Sequence, residues 1–131
     1  MFASFSRYQP QLLSLLRIMA GLLFVSHGTA KVLGFPAIEG LPAPGLSLAG
    51  LSGPFELVLG ALLVLGLFTR PAAFLASGFC AVGYWAVHGT QAFMPIQNGG
   101  ETIALYCFVW LYIVAAGPGV WAVDNMIGKK A

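Results

Sequence analysis

The chain has 131 residues, of which 59% are hydrophobic and 8% charged, with a formal net charge of +2. Ordinary soluble domains carry roughly 25% charged residues, so this composition excludes a water-soluble domain and indicates a polytopic membrane protein. The small net charge gives no reason to expect a nucleic-acid partner. At about 20 residues per span, the chain has room for four spanning helices and no separate soluble domain. We therefore expect an all-α fold, with residues 1–131 forming a single four-transmembrane-helix bundle in the lipid bilayer.

The first predicted span, residues 12–33, reads LLSLLRIMAGLLFVSHGTAKVL and carries Arg17, His27 and Lys31. At about 100° per residue, these three side chains fall within one arc narrower than a third of the helical wheel. A charged side chain inside a span is costly and normally faces protein or water, which makes it a functional-site candidate. The apolar run exceeds the roughly 7–15 residues of a signal-peptide core, so we expect it to remain in the mature protein. Gly34 is the predicted stop.

Three further spans are predicted at about residues 47–68, 71–87 and 100–116. The connection between the second and third spans is very short. Thr69 is expected to cap the third helix there, and Pro71 to begin it.

One face of the second span combines small residues with a carboxylate. Ala49, Gly53, Glu56 and Gly60 share that face, where small residues allow a neighbouring helix to approach closely. Glu56 is too deep and too short to reach water, so it should be paired, protonated or facing a cavity. Its candidate partners are Lys31, His27 and Arg17.

The basic residues outside the spans predict the orientation. They are Arg7, Arg70, Lys129 and Lys130. All four lie in the N-terminus, the connection after the second span or the C-terminus, and loops 34–46 and 88–100 contain no Lys or Arg. The positive-inside rule therefore predicts a multi-pass protein with both termini in the cytoplasm.

This topology brings several polar residues to the outer half of the bundle, where they form a candidate site for a ligand or for proton transfer. The site comprises His27, Lys31, Glu56, His88, Asn98 and Glu101. Aromatic residues are expected to line an apolar pocket beside it. They are Phe93, Tyr84, Trp85 and Tyr106.

The same residues also have structural interpretations, which the sequence leaves open. Lys31 and Arg17 can extend their charged groups to the two membrane interfaces. His88 can be an interfacial loop residue. Asn98 and Glu101 have the spacing of a capping box, with Asn in place of the usual Ser or Thr, and can cap the fourth helix.

Metal and haem chemistry have little support in the sequence. His27 and His88 are candidate axial haem ligands, and with Glu101 they are candidate metal ligands. No additional motif favours either, so we predict no metal site and consider haem a weak alternative. Cys80 and Cys107 lie in apolar runs and form no CxxC pair, which is typical of inert cysteines.

Taken together, four motifs resemble the DoxX family over roughly residues 12–125. They are R-x9-HG-x2-K (Arg17, His27, Gly28, Lys31), Glu56 followed by LGALLVLGLFTRPAA, P-x2-NGGE (95–101) with Tyr106, and a terminal GPG followed by Asp124. Each motif is weak alone, whereas the combination is specific. Within these motifs we assign structural roles to Arg17, Gly28, Arg70, Gly99 and Gly100.

The resemblance implies a four-helix integral protein of the bacterial inner membrane. The family is named for a subunit associated with a quinol oxidase, the related DoxD is linked to thiosulfate:quinone oxidoreduction, and other members belong to redox-stress membrane complexes. Our leading hypothesis is therefore an accessory subunit of a quinone-linked oxidoreductase that binds a quinone in the outer half of the bundle. Membrane redox proteins and further copies of the chain are the expected partners. The alternatives are a small oligomeric transporter or channel and a non-catalytic assembly or scaffold protein.

Overall fold

A computed structural model of the protein describes residues 2–41 and 44–128, and every regular element among them is helical. The elements are a 3-10 helix Phe2–Tyr8, α1 Gln9–Leu33, α2 Leu48–Leu65, α3 Thr69–Gly83, a π-helical turn Tyr84–His88, α4 Pro95–Asn98, α5 Glu101–Ala116 and α6 Val123–Gly128. The predicted all-α class is confirmed. Lys129 and Lys130, on which part of the orientation argument depends, lie outside the described residues.

The helix ends follow from glycines that adopt left-handed backbone angles. α1 ends at the predicted Gly34 (φ 68°), and α2 ends earlier than predicted, before Gly66 (φ 68°). Gly populates this region without the Cβ penalty that other residues experience. The prediction that Thr69 caps α3 and Pro71 begins it is wrong, because Thr69 is itself the first helical residue and Phe68 precedes it.

Two helical stretches of the described chain, Ser4–Leu33 and Leu48–Leu65, are long and apolar enough to cross a membrane. α5 is a shorter apolar helix, and α3 continues directly into the π-helical turn that ends at His88. Large apolar side chains on α1 are exposed, as expected for a face in contact with hydrocarbon. They include Leu12, Leu15, Leu16, Leu22 and Leu23.

Small residues hold α1 and α2 in close contact. A Cβ atom on Gly28 would lie 2.5 Å from the backbone nitrogen of Leu57, and one on Gly60 would lie 2.8 Å from that of Val25. Gly53 faces the side chain of Lys31 in the same way. The small face predicted for the second span therefore packs against α1, and this packing brings the polar groups of the two helices together.

The second main helix pair is α3 with α5. The core shared by α1, α2, α3 and α5 combines alanines with large side chains, since small residues on α3 leave room for aromatic ones on α5. The core consists of Ala20, Phe24, Leu59, Leu63, Ala72, Ala73, Ala76, Cys80, Trp110 and Ile113.

Candidate functional site

Lys31 and Glu56 form a largely buried ion pair between α1 and α2, with side chains that are 13% and 11% exposed. The Lys31 Nζ donates to both carboxylate oxygens of Glu56 at 2.8 Å and to the Ser52 Oγ at 2.9 Å. The Ser52 hydroxyl in turn donates to the Ala49 carbonyl at 2.6 Å. The three donors of the ammonium group thus have three acceptors. Of the partners considered for Glu56, the structure selects Lys31.

This pair lies beside a cavity of about 300 Å³ that is bordered by α1, α2, α3 and α5. Four of the predicted site residues line it, namely His27, Lys31, Glu56 and His88. The other lining residues are Phe24, Phe79, Cys80, Gly99, Thr102, Ile103 and Tyr106. The cavity therefore combines a few polar side chains with an aromatic and apolar wall, which is the usual character of small-molecule sites.

The loop before α5 positions His88. Its Nδ1 lies 2.9 Å from the backbone carbonyl of Asn98 and so carries the hydrogen of that bond, which leaves Nε2 as an acceptor in the neutral ring. The Asn98 carboxamide is buried and donates to the Ala92 carbonyl at 2.9 Å and to the Tyr84 hydroxyl at 3.2 Å. Its Oδ1 accepts a hydrogen bond from the Gly100 backbone at 2.8 Å. Asn98 therefore organises the loop and does not line the cavity.

The predicted capping box does not form. α5 begins at Glu101, so Gly100 occupies the N-cap position and supplies no side-chain bond, while Asn98 lies outside the helix. Glu101 is exposed and does not line the cavity. The aromatic residues expected near the pocket differ in position. Tyr106 lines the cavity, whereas Phe93 and Trp85 are 86% and 66% exposed.

Arg17 lies apart from this cavity, near the other end of α1, and is fully buried. Its guanidinium group donates to the carbonyls of Val64 and Pro118 at 2.8 Å and to those of Leu63 and Trp121. These carbonyls belong to the end of α2 and to the segment after α5. Arg17 therefore joins three parts of the chain and is not the partner of Glu56.

Two further residues at the Arg17 end of the bundle, Asp124 and Arg70, bind helix termini. The carboxylate of Asp124 accepts hydrogen bonds from the backbone nitrogens of Phe68 and Thr69, each at 2.8 Å, and so caps α3. Burial by itself raises the pKa of Asp124, but the hydrogen bonds from Thr69 and Phe68 and the charge of Arg17 hold that pKa below its ordinary value. Arg70 donates to the last carbonyls of α5, those of Val114 and Ala115.

Sequence reasoning missed most of the apolar wall. Phe24 had a usable signal, because it lies three residues before His27 and seven before Lys31, on the same helical face. Phe79 and Cys80 had none, since their position at the cavity depends on how α3 is rotated against its neighbours. Among residues 2–41 and 44–128, no three His, Cys, Asp or Glu side chains are grouped to hold a metal ion.

Comparison with known proteins identifies the family. The DoxX family model matches residues 12–89. An uncharacterized protein of Haemophilus influenzae is 43% identical over 129 residues, which cover 95% of this chain and 96% of that protein. The inner membrane protein YphA of Escherichia coli is 30% identical over 136 residues (95% and 96%), and the uncharacterized membrane protein Rv3486 of Mycobacterium tuberculosis is 27% identical over 132 residues (88% and 81%).

No solved structure matches the chain. The family model nevertheless covers more than half of the chain, and the alignments with the Haemophilus and Escherichia relatives extend over nearly all of it. The chain therefore belongs to the DoxX family.

Proposed function

We propose that this protein is a multi-pass protein of the bacterial inner membrane with four spanning helices. The spans are α1, α2, α3 with its π-helical turn, and α5. Their exposed apolar side chains support contact with lipid, and two Escherichia coli relatives, YphA and YqjF, are named inner membrane proteins. The distribution of Arg7 and Arg70 against loops 34–46 and 88–100 supports a cytoplasmic location for both termini.

We further propose that the cavity binds a quinone and that the protein supports membrane redox chemistry as an accessory subunit. The observation that carries this proposal is the buried Lys31–Glu56 pair on the wall of a cavity of about 300 Å³. Burying two charges is expensive, and well-packed apolar residues often stabilise a protein as well or better. A pair that faces a cavity of this size, rather than packed side chains, is accounted for by recognition of a ligand.

The lining residues match the chemistry of a quinone ring. Its carbonyl oxygens accept hydrogen bonds, which the imidazole of His27 can donate, as can the ammonium of Lys31 once it exchanges the Ser52 hydroxyl for the ligand. Phe24, Phe79 and Tyr106 supply an aromatic wall of the cavity.

The ion pair also gives the site a means of moving a proton. Glu56 can hold a proton, and Lys31, which bonds both of its oxygens, can exchange one with it. A quinone supplies the capacity to accept electrons and protons when bound. Electrons then have to come from a partner redox protein, which is why the role of an accessory subunit fits the chain.

The test is ligand binding by the purified protein in lipid nanodiscs. We expect 2-methyl-1,4-naphthoquinone to quench tryptophan fluorescence saturably. The reason is that Trp110 stacks on Tyr106, which lines the cavity, with ring centroids 6.0 Å apart. Glu56→Gln should weaken this quenching, because it removes the charge that orients Lys31. Glu39→Gln, in the exposed loop after α1, is the matched control and should bind as the wild type does. Equal quenching by the two variants, or no saturation in the wild type, would contradict the proposal.

Two other functions make different predictions for the same variant. In a small oligomeric transporter, Glu56→Gln abolishes ligand-dependent flux in liposomes. In a non-catalytic scaffold, the variant lowers stability and leaves no separate binding activity to lose. Measuring flux, stability and quenching together therefore distinguishes the three.

A further inference from the structure

An apolar groove of about 200 Å³ lies beside the cavity, between α1 and α5. It is formed by residues 16–23 of α1 and residues 102–109 of α5, and its lining is almost entirely hydrocarbon. At about 1.5 Å per residue, it follows each helix for roughly 10 Å.

The groove and the cavity are neighbouring spaces that share part of their lining. Thr102 and Tyr106 line both of them. The Tyr106 ring packs on Phe24, which lines the cavity, with centroids 5.5 Å apart, and it stacks on the buried Trp110. A molecule held in the cavity therefore needs to pass only one layer of side chains to extend into the groove.

The groove is open toward the outside of the helix bundle. Its walls include Leu23, Met19 and Leu105, which are 48%, 58% and 67% exposed, and α1 packs mainly against α2 rather than against α5. In a bilayer this opening faces hydrocarbon chains. The cavity is thus polar near Lys31, and the neighbouring groove is apolar along the helices. An amphipathic molecule has the same distribution of polar and apolar parts.

We infer that the ligand of the proposed site carries a hydrocarbon tail and that the tail lies in the groove between α1 and α5. This inference rests on the proposed function and assigns its ligand to the prenyl-tailed quinones, with the ring in the cavity. Lipid chains are as apolar as the groove, so the tail gains packing contacts and a fixed orientation rather than hydrophobic free energy. The groove should therefore distinguish ligands by their tails.

The experiment compares two quinones and two neighbouring positions. The probes are 2-methyl-1,4-naphthoquinone, which has no tail, and the same ring with a four-isoprenoid tail. Leu22 and Leu23 are both 48% exposed on α1, but only Leu23 lines the groove. The variants are Leu23→Trp, which fills the groove, and the matched control Leu22→Trp, each in nanodiscs, with bound quinone quantified by extraction and mass spectrometry.

We expect Leu23→Trp to bind the tailed quinone about tenfold more weakly than Leu22→Trp does, because the indole fills the groove. The corresponding loss of binding free energy is within the usual cost of overpacking an apolar site. Both variants should bind the tail-less quinone equally, which also shows that they are folded. If Leu23→Trp fails to fold, Met19→Trp at the same groove carries the same expectation.

The outcomes separate the inference from the proposed function. Equal binding of the tailed quinone by Leu22→Trp and Leu23→Trp, while the tail-less probe binds both, overturns the groove and leaves the cavity standing. Recovery of a phospholipid rather than the added tailed quinone from the purified wild type overturns the assignment to quinones. Failure of the tail-less probe to bind the wild type overturns the proposed function itself.

Discussion

Two cations on the same helix, the fully buried Arg17 and the largely buried Lys31, have opposite surroundings. The guanidinium of Arg17 is enclosed, and its donors are used by carbonyl oxygens from the end of α2 and from the segment after α5. The ammonium of Lys31 is bonded to Glu56 and Ser52, but it also borders a cavity. Both charges are costly to bury, yet only one of them adjoins space that a ligand can fill.

This contrast indicates how a charged residue within a membrane helix can be interpreted. Carbonyl oxygens at a helix end have no partner of their own, so a cation that binds them contributes to the fold. Desolvating a paired cation can cost more than the pair contributes to the fold, and for a pair beside a cavity we propose ligand recognition as the reason for its retention. Substitutions in or beside these two environments test the contrast, and the largest effect is expected at Arg17.

Replacing Arg17 should have the largest effect on stability. Arg17→Met removes the guanidinium donor from the part-buried carbonyls of Val64, Pro118 and Trp121 and leaves the Leu63 carbonyl with only the Gly66 backbone N–H. At up to about 1–3 kcal/mol for each carbonyl left without a donor, we expect a loss of several kcal/mol and little folded protein. Size-exclusion profiles and thermal unfolding in detergent measure this. Arg7→Met, at an exposed position where the guanidinium donates to the hydroxyl of the neighbouring Tyr8, is the control and should unfold like the wild type. A stable Arg17→Met protein would show that the four bonds are dispensable.

Breaking the ion pair should have the next largest effect. Lys31→Met leaves the Glu56 carboxylate buried without a partner, and we expect a loss of about 3 kcal/mol in the free energy of unfolding together with loss of quinone binding. The double variant Lys31→Met/Glu56→Leu should recover the stability and not the binding. If the double variant binds quinone as the wild type does, the pair has no part in recognition.

Adding one methyl group at Gly28 should be moderately destabilising. Its Cβ would lie 2.5 Å from the Leu57 backbone nitrogen, so Gly28→Ala has to push α1 and α2 apart and displace Lys31 from Glu56. We expect a loss of about 1–3 kcal/mol and weaker quinone binding. Gly78→Ala on the open face of α3, where the added Cβ would have no atom of another described element within 4 Å, should instead be neutral or stabilising. The reverse order of melting temperatures would refute the close packing of α1 on α2.

The smallest predicted effect concerns Asp124 and depends on pH. Because its pKa is lowered in the folded protein, its cap on α3 stabilises the fold above the ordinary value of 3.8 and is lost as pH falls below it. Asp124 is only half-buried, so solvent screens the cap and we expect Asp124→Asn to remove at most about 1 kcal/mol at neutral pH. The melting temperature of the wild type should fall more steeply between pH 5 and 3 than that of the variant, and parallel curves would argue against this cap.

Much of the fold was predictable because its signals are local. Runs of apolar residues and glycine stops predicted the main helices to within a few residues, and the small residues on the second span predicted a close contact with a neighbouring helix, which the structure shows to be α1. Of the candidate site, His27, Lys31, Glu56 and His88 lie around one cavity, while Asn98 and Glu101 do not. The error there came from the start of α5, since a shift of two residues converts a capping spacing into a loop hydrogen bond.

The helical class, the apolar exterior and the depth of Glu56 followed from the sequence alone, because these depend on the hydropathy and spacing of neighbouring residues. Only the tertiary structure decided that Glu56 pairs with Lys31 and not with Arg17, that Asp124 caps a helix more than fifty residues earlier in the chain, and that α3 turns Phe79 and Cys80 toward the cavity. Such contacts depend on the rotation and offset of whole helices. Those quantities are fixed by the sum of all packing between α1, α2, α3 and α5, and no single stretch of the chain encodes them.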